Sequence, residues 1–283
     1  MKCFYHSADF DGLCSGAIIK KKYPECEMIG INYGDEFPWD DIETGETVFM
    51  VDFSLQPFMD MVRLNSMCVL IWIDHHASAI EDARKRYFLA NGGQLLTDGV
   101  AACRLAWEWC YGDDGNNLEP VSVAMLGLYD VWNHSDDRTL PFQYGMRATK
   151  FDHSPDNQFF WNMVFTNEDF FRETIETGRL ILDYQIEQNT QEAAAYAFES
   201  ELFDHKAICI NREFCNSQIF DSVYDPEKHH IMISFCRSPK KHWTFSIYST
   251  RDDVDCSAIA KKFGGGGHKG ASGFQADRIP FAH

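Results

Sequence analysis

The chain has 283 residues, 45% of them hydrophobic and 14% aromatic, which is enough to form the apolar cores of two ordinary domains. The formal net charge is −18. This charge argues against a broad basic surface for long duplex DNA, because non-specific DNA binding depends on Lys and Arg side chains that neutralise phosphates. No apolar run reaches the roughly 18 residues of a membrane-spanning helix, and no secretory segment precedes the charged residues near the start. We therefore expect a cytoplasmic chain with no membrane partner.

Short apolar runs alternate with helical patterns in the first half of the chain. The predicted strands are 2–5, 27–33, 47–52 and 68–73, and the predicted helices are 12–22, one that begins near Pro57, 77–87, 100–110 and 120–132. Between the last two helices, the composition of residues 111–117 predicts an irregular turn. Strands that alternate with helices predict an α/β domain with a mostly parallel sheet flanked by helices.

The second half begins with a long helical pattern. Residues 166–202 contain no Pro and only one Gly, and their Glu, Gln, Ala and Leu residues favour a long helix or a helix pair. Strands at 206–210, 230–236 and 244–248 follow, with a short helix at 257–263 before a glycine run. These patterns predict an N-terminal domain at 1–165, a helical linker at 166–202 and a smaller C-terminal α/β domain at 203–283.

Polar residues follow two of the predicted strands at the point where each strand ends. His6, Asp9 and Asp11 lie between the first strand and the helix that begins at Gly12. Loops at the carboxyl ends of parallel strands are where α/β proteins place their sites, and these side chains could bind cations. A turn or a helix cap is the alternative for the two aspartates. Asp52 ends another apolar run, where a buried charge needs a metal or a partner; capping the helix near Pro57 is the alternative.

Two further polar segments complete the pattern. The apolar strand 68–73 runs directly into Asp74, His75 and His76, three consecutive ionisable residues that suit a metal or phosphate site better than a core. Asp130 ends an apolar helical stretch, where the helix dipole disfavours a carboxylate. An ordinary helix end is the alternative for Asp130.

In this order, the four segments resemble the DHH phosphoesterase superfamily, which is named for the triplet that stands here as residues 74–76. The glycine-rich run in the C-terminal part resembles the signature of the DHH-associated domain. Its residues are Gly264, Gly265, Gly266, Gly267 and His268, followed by Lys269. Consecutive glycines let backbone amides approach a phosphate or nucleotide closely, whereas a flexible linker is the alternative.

The resemblance implies a role for each matching residue. His6 and Asp9 would bind one divalent cation, Asp11, His75 and Asp130 would bind a second, and Asp52 would bridge them. Asp74 would orient a ligating histidine, and His76 would face the substrate phosphate, so that these two residues are the candidate catalytic pair. Manganese is the expected metal, with magnesium fitting less well. The glycine run and His268 would bind substrate.

The implied activity is two-metal hydrolysis of short single-stranded oligonucleotides or dinucleotides in a cleft between the two domains. The alternatives are a cyclic dinucleotide phosphodiesterase, a nucleotide phosphatase that releases monophosphate, and a polyphosphate or pyrophosphate hydrolase. A non-catalytic nucleotide sensor is disfavoured, because every expected ligand position is filled. The roles of Arg237 and Arg251 and the oligomeric state, a homodimer included, stay open.

Overall fold

A computed structural model describes residues 1–112, 118–213, 215–239 and 242–281. The chain divides into two compact units, Met1–Leu182 and Asp183–His283. Most of the predicted turn at 111–117 lies outside the described residues. Each of the ten cysteines is a free thiol.

Unit 1 is built on a five-stranded parallel sheet in the order β2-β1-β3-β4-β5. Its strands are β1 (Lys2–His6), β2 (Glu27–Ile31), β3 (Thr47–Val51), β4 (Val69–Asp74) and β5 (Gly93–Leu96). Its helices are α1 (Phe10–Lys22), α2 (Met59–Met67), α3 (Ala77–Lys85), α4 (Ala102–Tyr111), α5 (Val121–Asp130), α6 (Thr139–Ala148) and α7 (Gln158–Thr166). The predicted fold class, a parallel sheet flanked by helices with a smaller C-terminal sheet domain, is confirmed.

Both faces of the parallel sheet are buried. Tyr5 and Ile73 belong to one apolar cluster, whereas Phe4 and Trp72, their neighbours along the same strands, belong to another. Successive side chains of a strand point to opposite faces, so covered faces require strands that are apolar throughout. This requirement explains why the central strands read as unbroken apolar runs, with polar residues only where the strands end.

A single long helix, α8 (Glu168–Tyr196), runs across the boundary between the two units. Its one glycine, Gly178, lies against α6, because a Cβ atom there would overlap the carbonyl oxygen of Pro141 and approach Gly145. The prediction of helix as far as Leu202 is wrong: α8 ends at Tyr196, and Phe198–Leu202 is strand β6. Within the described residues no helix, α8 included, is long and apolar enough to cross a membrane.

Unit 2 contains a six-stranded mixed sheet in the order β10-β11-β9-β8-β7-β6. Its further elements are β7 (His205–Asn211), β8 (Ile231–Arg237), β9 (Trp243–Tyr248), α9 (Cys256–Lys261), β10 (Gly266–Gly267) and β11 (Ala271–Ala276). Ile259 of α9 packs in one apolar cluster with Phe245 and Phe274. The glycine run therefore connects a helix to the edge of a packed sheet, and it is not an extended linker.

We expect Gly178→Ala to lower the free energy of unfolding. Alanine gains about 1 kcal/mol in helix propensity over glycine, but overpacking costs about 1 to 3 kcal/mol, and the overlapped atom here belongs to a rigid backbone. Urea denaturation monitored by circular dichroism measures the change, with Leu180→Ala as the control because Leu180 is exposed on the same helix. A Gly178→Ala variant as stable as the unmodified protein would contradict the close approach of α6 and α8.

Candidate metal centre

Three neighbouring strands deliver polar residues to one edge of the sheet. His6 is the last residue of β1, Asp74 is the last residue of β4, and Asp52 directly follows β3, which lies between those strands. Because the three strands are parallel, their carboxyl ends meet at the same edge. The parallel sheet thus brings together side chains that are far apart along the chain.

The loop between β1 and α1 supplies two more carboxylates. Asp9 is the N-cap of α1, and its Oδ1 accepts a hydrogen bond from the Gly12 N–H at 3.0 Å. A Cβ atom on Gly12 would overlap the carbonyl oxygen of His6, so only glycine lets α1 begin this close to β1. Asp9 therefore is a helix cap, as the alternative interpretation held, and it also reaches His6.

Asp11 is held by the start of a different helix. Its two oxygens accept hydrogen bonds from the backbone amides of Ala102, at 2.9 Å, and Cys103, at 2.8 Å, in the first turn of α4. The unpaired amides and the dipole at a helix N-terminus stabilise a carboxylate. These contacts fix the position of a side chain that is only 2% exposed.

The first cluster contains His6, Asp9 and Asp52. The Nδ1 atom of His6 lies 3.1 Å from Oδ2 of Asp9 and 3.6 Å from Oδ2 of Asp52. One potential ligand atom from each residue lies within 4.8 Å of the other two. This spacing suits a single ion bound by one nitrogen and two oxygens.

The second cluster contains Asp11, His75 and Asp130. The Nε2 atom of His75 lies 3.5 Å from Asp11 Oδ2, 3.2 Å from Asp130 Oδ2 and 3.3 Å from Asp52 Oδ1. The potential ligand atoms of Asp11, His75 and Asp130 also lie within 4.8 Å of one another. Asp130 reaches this cluster as the last residue of α5.

Asp52 faces both clusters through different oxygens. Its Oδ2 is the atom near His6, and its Oδ1 is the atom near His75. The residue has a positive φ of 53°, a conformation in which Asp and Asn are enriched, and its N–H donates to the Ile73 carbonyl at 2.9 Å. This turn out of β3 directs the carboxylate between the clusters. The side chain is buried, so its charge needs compensation there.

The electrostatics of the clusters fit bound cations. Burial and the neighbouring Asp52 raise the pKa of Asp130 to about 7, and burial with Asp52 and Asp130 raises the pKa of Asp11 as well. Burial lowers the pKa of His75, but its contacts with Asp52 and the other carboxylates outweigh that effect and raise it to about 10. Within the described residues, His6 Nδ1 and Asp52 Oδ1 are buried and make no well-formed hydrogen bond. Divalent cations would satisfy these atoms and offset the crowded negative charge.

The carboxylate of Asp74 is held by hydrogen bonds from its own neighbours in the chain. Its Oδ1 accepts hydrogen bonds from the backbone amides of His75, at 2.7 Å, and His76, at 3.1 Å, and lies 2.7 Å from Nδ1 of His76. Its Oδ2 accepts from the Trp72 indole at 3.2 Å. Burial raises the pKa of Asp74, but the contacts with His76 outweigh burial and lower it. The imidazole that Asp74 orients is therefore that of His76.

Asp52, His75 and His76 also lie close enough together to form a third group of ligands. The Nδ1 atom of His76 is 3.9 Å from Asp52 Oδ1 but only 2.7 Å from Asp74 Oδ1. Because Asp74 contacts Nδ1, the Nε2 atom is the one that His76 could offer to an ion, so His76 is a further candidate ligand beside its predicted place at the substrate phosphate. The metal, catalytic and substrate roles of all these residues stay predictions.

The predicted substrate-binding glycines lie in unit 2, and they differ from one another. Gly264 and Gly267 have positive φ values of 77° and 139°. A Cβ atom on Gly265 would overlap the carbonyl oxygen of Gly273, whereas a Cβ on Gly266 would meet nothing within 4 Å. The fold therefore requires glycine at Gly265 but leaves the face of Gly266 open. His268 follows on the exposed turn between β10 and β11.

The two arginines have different surroundings. Arg251 pairs with Asp253 at 2.7 Å and donates to the Pro226 carbonyl at 2.8 Å. Arg237 ends β8 and is exposed. Because Arg251 is already engaged, its guanidinium is the less available of the two for a phosphate.

Sequence reasoning missed an aromatic wall beside the first cluster. The ring of Tyr33 lies 5.9 Å from that of His6, 4.6 Å from that of Phe53 and 6.3 Å from that of His76. The sequence does point to Tyr33 and Phe53, because Phe53 directly follows Asp52 and Tyr33 comes shortly after the end of β2. Aromatic residues at strand ends line the same edge as the polar ones.

Comparison with known proteins connects this architecture to others. No family model matches the chain. The chain is 25% identical over 237 residues to an uncharacterized protein of Acanthamoeba polyphaga mimivirus, covering 81% of this chain and 52% of the relative. The chain thus spans about half the length of the curated relative that it matches.

Solved structures share the fold. The DHH domain of a member of a family of ribosomal proteins is similar with a TM-score of 0.57 and 13% identity, covering 96% of this chain and 81% of that one. A pGpG-specific phosphodiesterase from Vibrio cholerae has a TM-score of 0.54 and 15% identity, covering 97% of this chain and 92% of that one. An exopolyphosphatase-related protein from Bacteroides fragilis has a TM-score of 0.53 and 12% identity, covering 98% of this chain and 87% of that one. The resemblance to the DHH superfamily is confirmed at the level of the fold.

We expect Asp52→Asn to weaken metal binding at both clusters by at least about 100-fold, because loss of even an outer-shell partner costs about 10- to 100-fold. Asparagine tolerates the positive φ at this position, so the backbone should be preserved. Metal content after dialysis and calorimetric titration measure the effect. Asp9→Asn is the matched control: it keeps the helix cap and should weaken one ion only. One ion bound at undiminished affinity in Asp52→Asn would contradict the bridging position.

Proposed function

We propose that this chain, which has the fold of the DHH superfamily, is a two-metal-dependent phosphodiesterase that hydrolyses short oligonucleotides or dinucleotides. One observation carries the proposal: the buried carboxylate of Asp52 lies between two groups of ligands, 3.6 Å from His6 Nδ1 and 3.3 Å from His75 Nε2. A carboxylate shared by two cations is typical of centres that cleave phosphoric esters. The pGpG-specific phosphodiesterase with the same fold supports this reaction class.

His6, Asp9 and Asp52 would hold one cation, and Asp11, His75, Asp130 and Asp52 would hold the other. When bound, two such cations activate water and offset the charge that develops on phosphate oxygens. We propose Mn²⁺, because it accepts both imidazole nitrogen and carboxylate oxygen, whereas Mg²⁺ prefers an all-oxygen shell. The amides of α4 keep Asp11 in place for this purpose.

His76 and Asp74 have a separate task in the proposal. The carboxylate of Asp74 fixes the His76 ring through Nδ1, which leaves the Nε2 side of the ring directed away from Asp74. Burial lowers the pKa of His76, but contact with Asp74 and Asp52 outweighs burial and raises it. A protonated imidazole beside the clusters can bind a phosphate oxygen and donate a proton.

Charge limits the size of the substrate. With a net charge of −18, the chain repels long polyanions outside the centre, so phosphate is attracted only where cations are held. The open face of Gly266 could admit a nucleotide against backbone amides. Both features favour a ligand of a few nucleotides over a long strand.

The experiment that tests the function starts from chelator-treated protein that is reloaded with Mn²⁺. The panel contains 5′-labelled di- to decanucleotides, cyclic dinucleotides, pyrophosphate and bis-p-nitrophenyl phosphate, and products are resolved over time. We expect no turnover before reloading and fastest turnover of the shortest linear oligonucleotides afterwards. Nucleotide binding without any product would indicate a sensor, and release of phosphate from pyrophosphate alone would indicate a different hydrolase.

We expect Gly266→Val to raise the KM for dinucleotides about tenfold, which corresponds to the loss of roughly one hydrogen bond to a charged group. The melting temperature should stay near that of the unmodified protein, because a Cβ at this position meets no other atom within 4 Å. The small chromogenic diester is the reference substrate. Gly265→Ala is the contrasting variant, since it should lower the melting temperature. An equal decline with both substrates in Gly266→Val would place the defect in the chemistry and not in binding.

A further inference from the structure

A pocket of about 360 Å³ lies beside the candidate metal centre in unit 1. We name it the side pocket. The loops that follow β2 and β3 form most of it, together with Asp60 near the start of α2. The loops at this edge of the sheet therefore form both the side pocket and the metal centre.

The side pocket shares a wall with the metal centre. Tyr33 and Phe53 line the pocket, and their rings lie 5.9 and 6.2 Å from the ring of His6. Tyr33 also meets the ring of His76 edge-on at 6.3 Å. A molecule whose phosphate lies at the clusters thus has a pocket next to it for the group attached to that phosphate.

The lining of the pocket combines aromatic faces with hydrogen-bond acceptors. Phe37 and Trp39 join Tyr33 and Phe53, and the acidic residues are Asp35, Glu36 and Asp60. None of the described residues that line it is Lys, Arg or His, but the guanidinium of Arg63 lies 3.8 Å from the centroid of the Trp39 ring and covers one face of that ring. An ionised carboxylate accepts hydrogen bonds and donates none, so the pocket repels a second phosphate and favours a flat group that carries donors.

Asp35 already accepts a hydrogen bond from the Asn32 N–H at 2.8 Å, but three details show that the other acceptors are available and are not arranged for a metal. In the described part of the chain, neither Glu36 nor Asp60 has a side-chain hydrogen bond or an ion pair. The Oδ1 atom of Asn32, which also lines the pocket, is buried without a hydrogen-bond partner among the described residues. The described groups that could hold a metal ion contain none of the three acidic residues.

We propose that the side pocket binds a guanine base of the substrate, stacked on its aromatic wall and bound through its donors by Glu36 or Asp60. The proposal rests on the proposed function, since it places the phosphate of the same nucleotide at the metal clusters. Guanine presents an imino and an amino donor side by side, which match the two oxygens of a carboxylate. Adenine and cytosine each present one amino donor beside a ring acceptor, which a carboxylate repels. The pocket therefore selects one nucleobase.

Calorimetric titration of the metal-loaded full chain with GMP and with AMP tests the proposal directly. We expect GMP to bind at least about tenfold more tightly, because a bidentate contact is worth about that much discrimination. Glu36→Gln and Asp60→Asn keep the shape of each side chain but replace one acceptor by a donor. At least one of them should remove the preference, and the double variant should remove it entirely. Asp40→Asn, a nearby exposed carboxylate outside the lining, should keep it.

Turnover of the linear dinucleotides GpG and ApA is measured in parallel, with bis-p-nitrophenyl phosphate as a substrate that has no base. Equal binding of GMP and AMP by the unmodified protein, or a preference retained by the double variant, would overturn the guanine proposal. If diesters are hydrolysed without any base preference, the pocket assignment fails while the proposed function stands. If GMP is preferred but no diester is cleaved, the function fails while the pocket assignment stands.

Discussion

The rest of unit 1 depends on the concentration of negative charge at one edge of its sheet. Asp11, Asp52 and Asp130 share a space with His75, and burial together with mutual repulsion raises the pKa of Asp11 and Asp130. Buried like charges are costly unless cations, amides or protons offset them. The surrounding structure can be understood as the set of contacts that keeps these carboxylates close together in spite of that cost.

Several backbone features serve this constraint. The amides at the start of α4 hold both oxygens of Asp11, and the positive φ of Asp52 turns its carboxylate between the two clusters. Gly12 lets α1 begin against the carbonyl of His6, which brings Asp9 within 3.1 Å of the imidazole. The positive φ of Asp52 is a departure from regular backbone structure, whereas the other two features lie at the ordinary starts of α4 and α1. Such departures persist where the surrounding fold enforces them.

The sequence predicted the elements whose signal is local. The apolar runs of the central strands, and the polar residues that end them, predict that His6, Asp52 and His75 lie at one edge of the sheet. Helices α6 and α7 and strands β5, β10 and β11 were missed, and 198–202 was assigned to a helix although its residues pair with β7. Pairing and packing partners decided these segments. The amide contacts of Asp11, 91 and 92 residues away along the chain, had no local signal either.

The directions of the pKa shifts separate Asp74 from Asp11 and Asp130 by what surrounds each carboxylate. Asp74 meets backbone amides, an indole and two histidines, and these contacts outweigh burial and lower its pKa. Asp11 and Asp130 meet other carboxylates, and their pKa values rise. A cation between the clusters would lower the pKa of Asp11 and Asp130, because a positive charge favours the ionised form of the groups nearest to it. The protein therefore stabilises the charge of Asp74 through its own contacts, whereas the predicted cations would be needed to offset the charges of Asp11 and Asp130 fully.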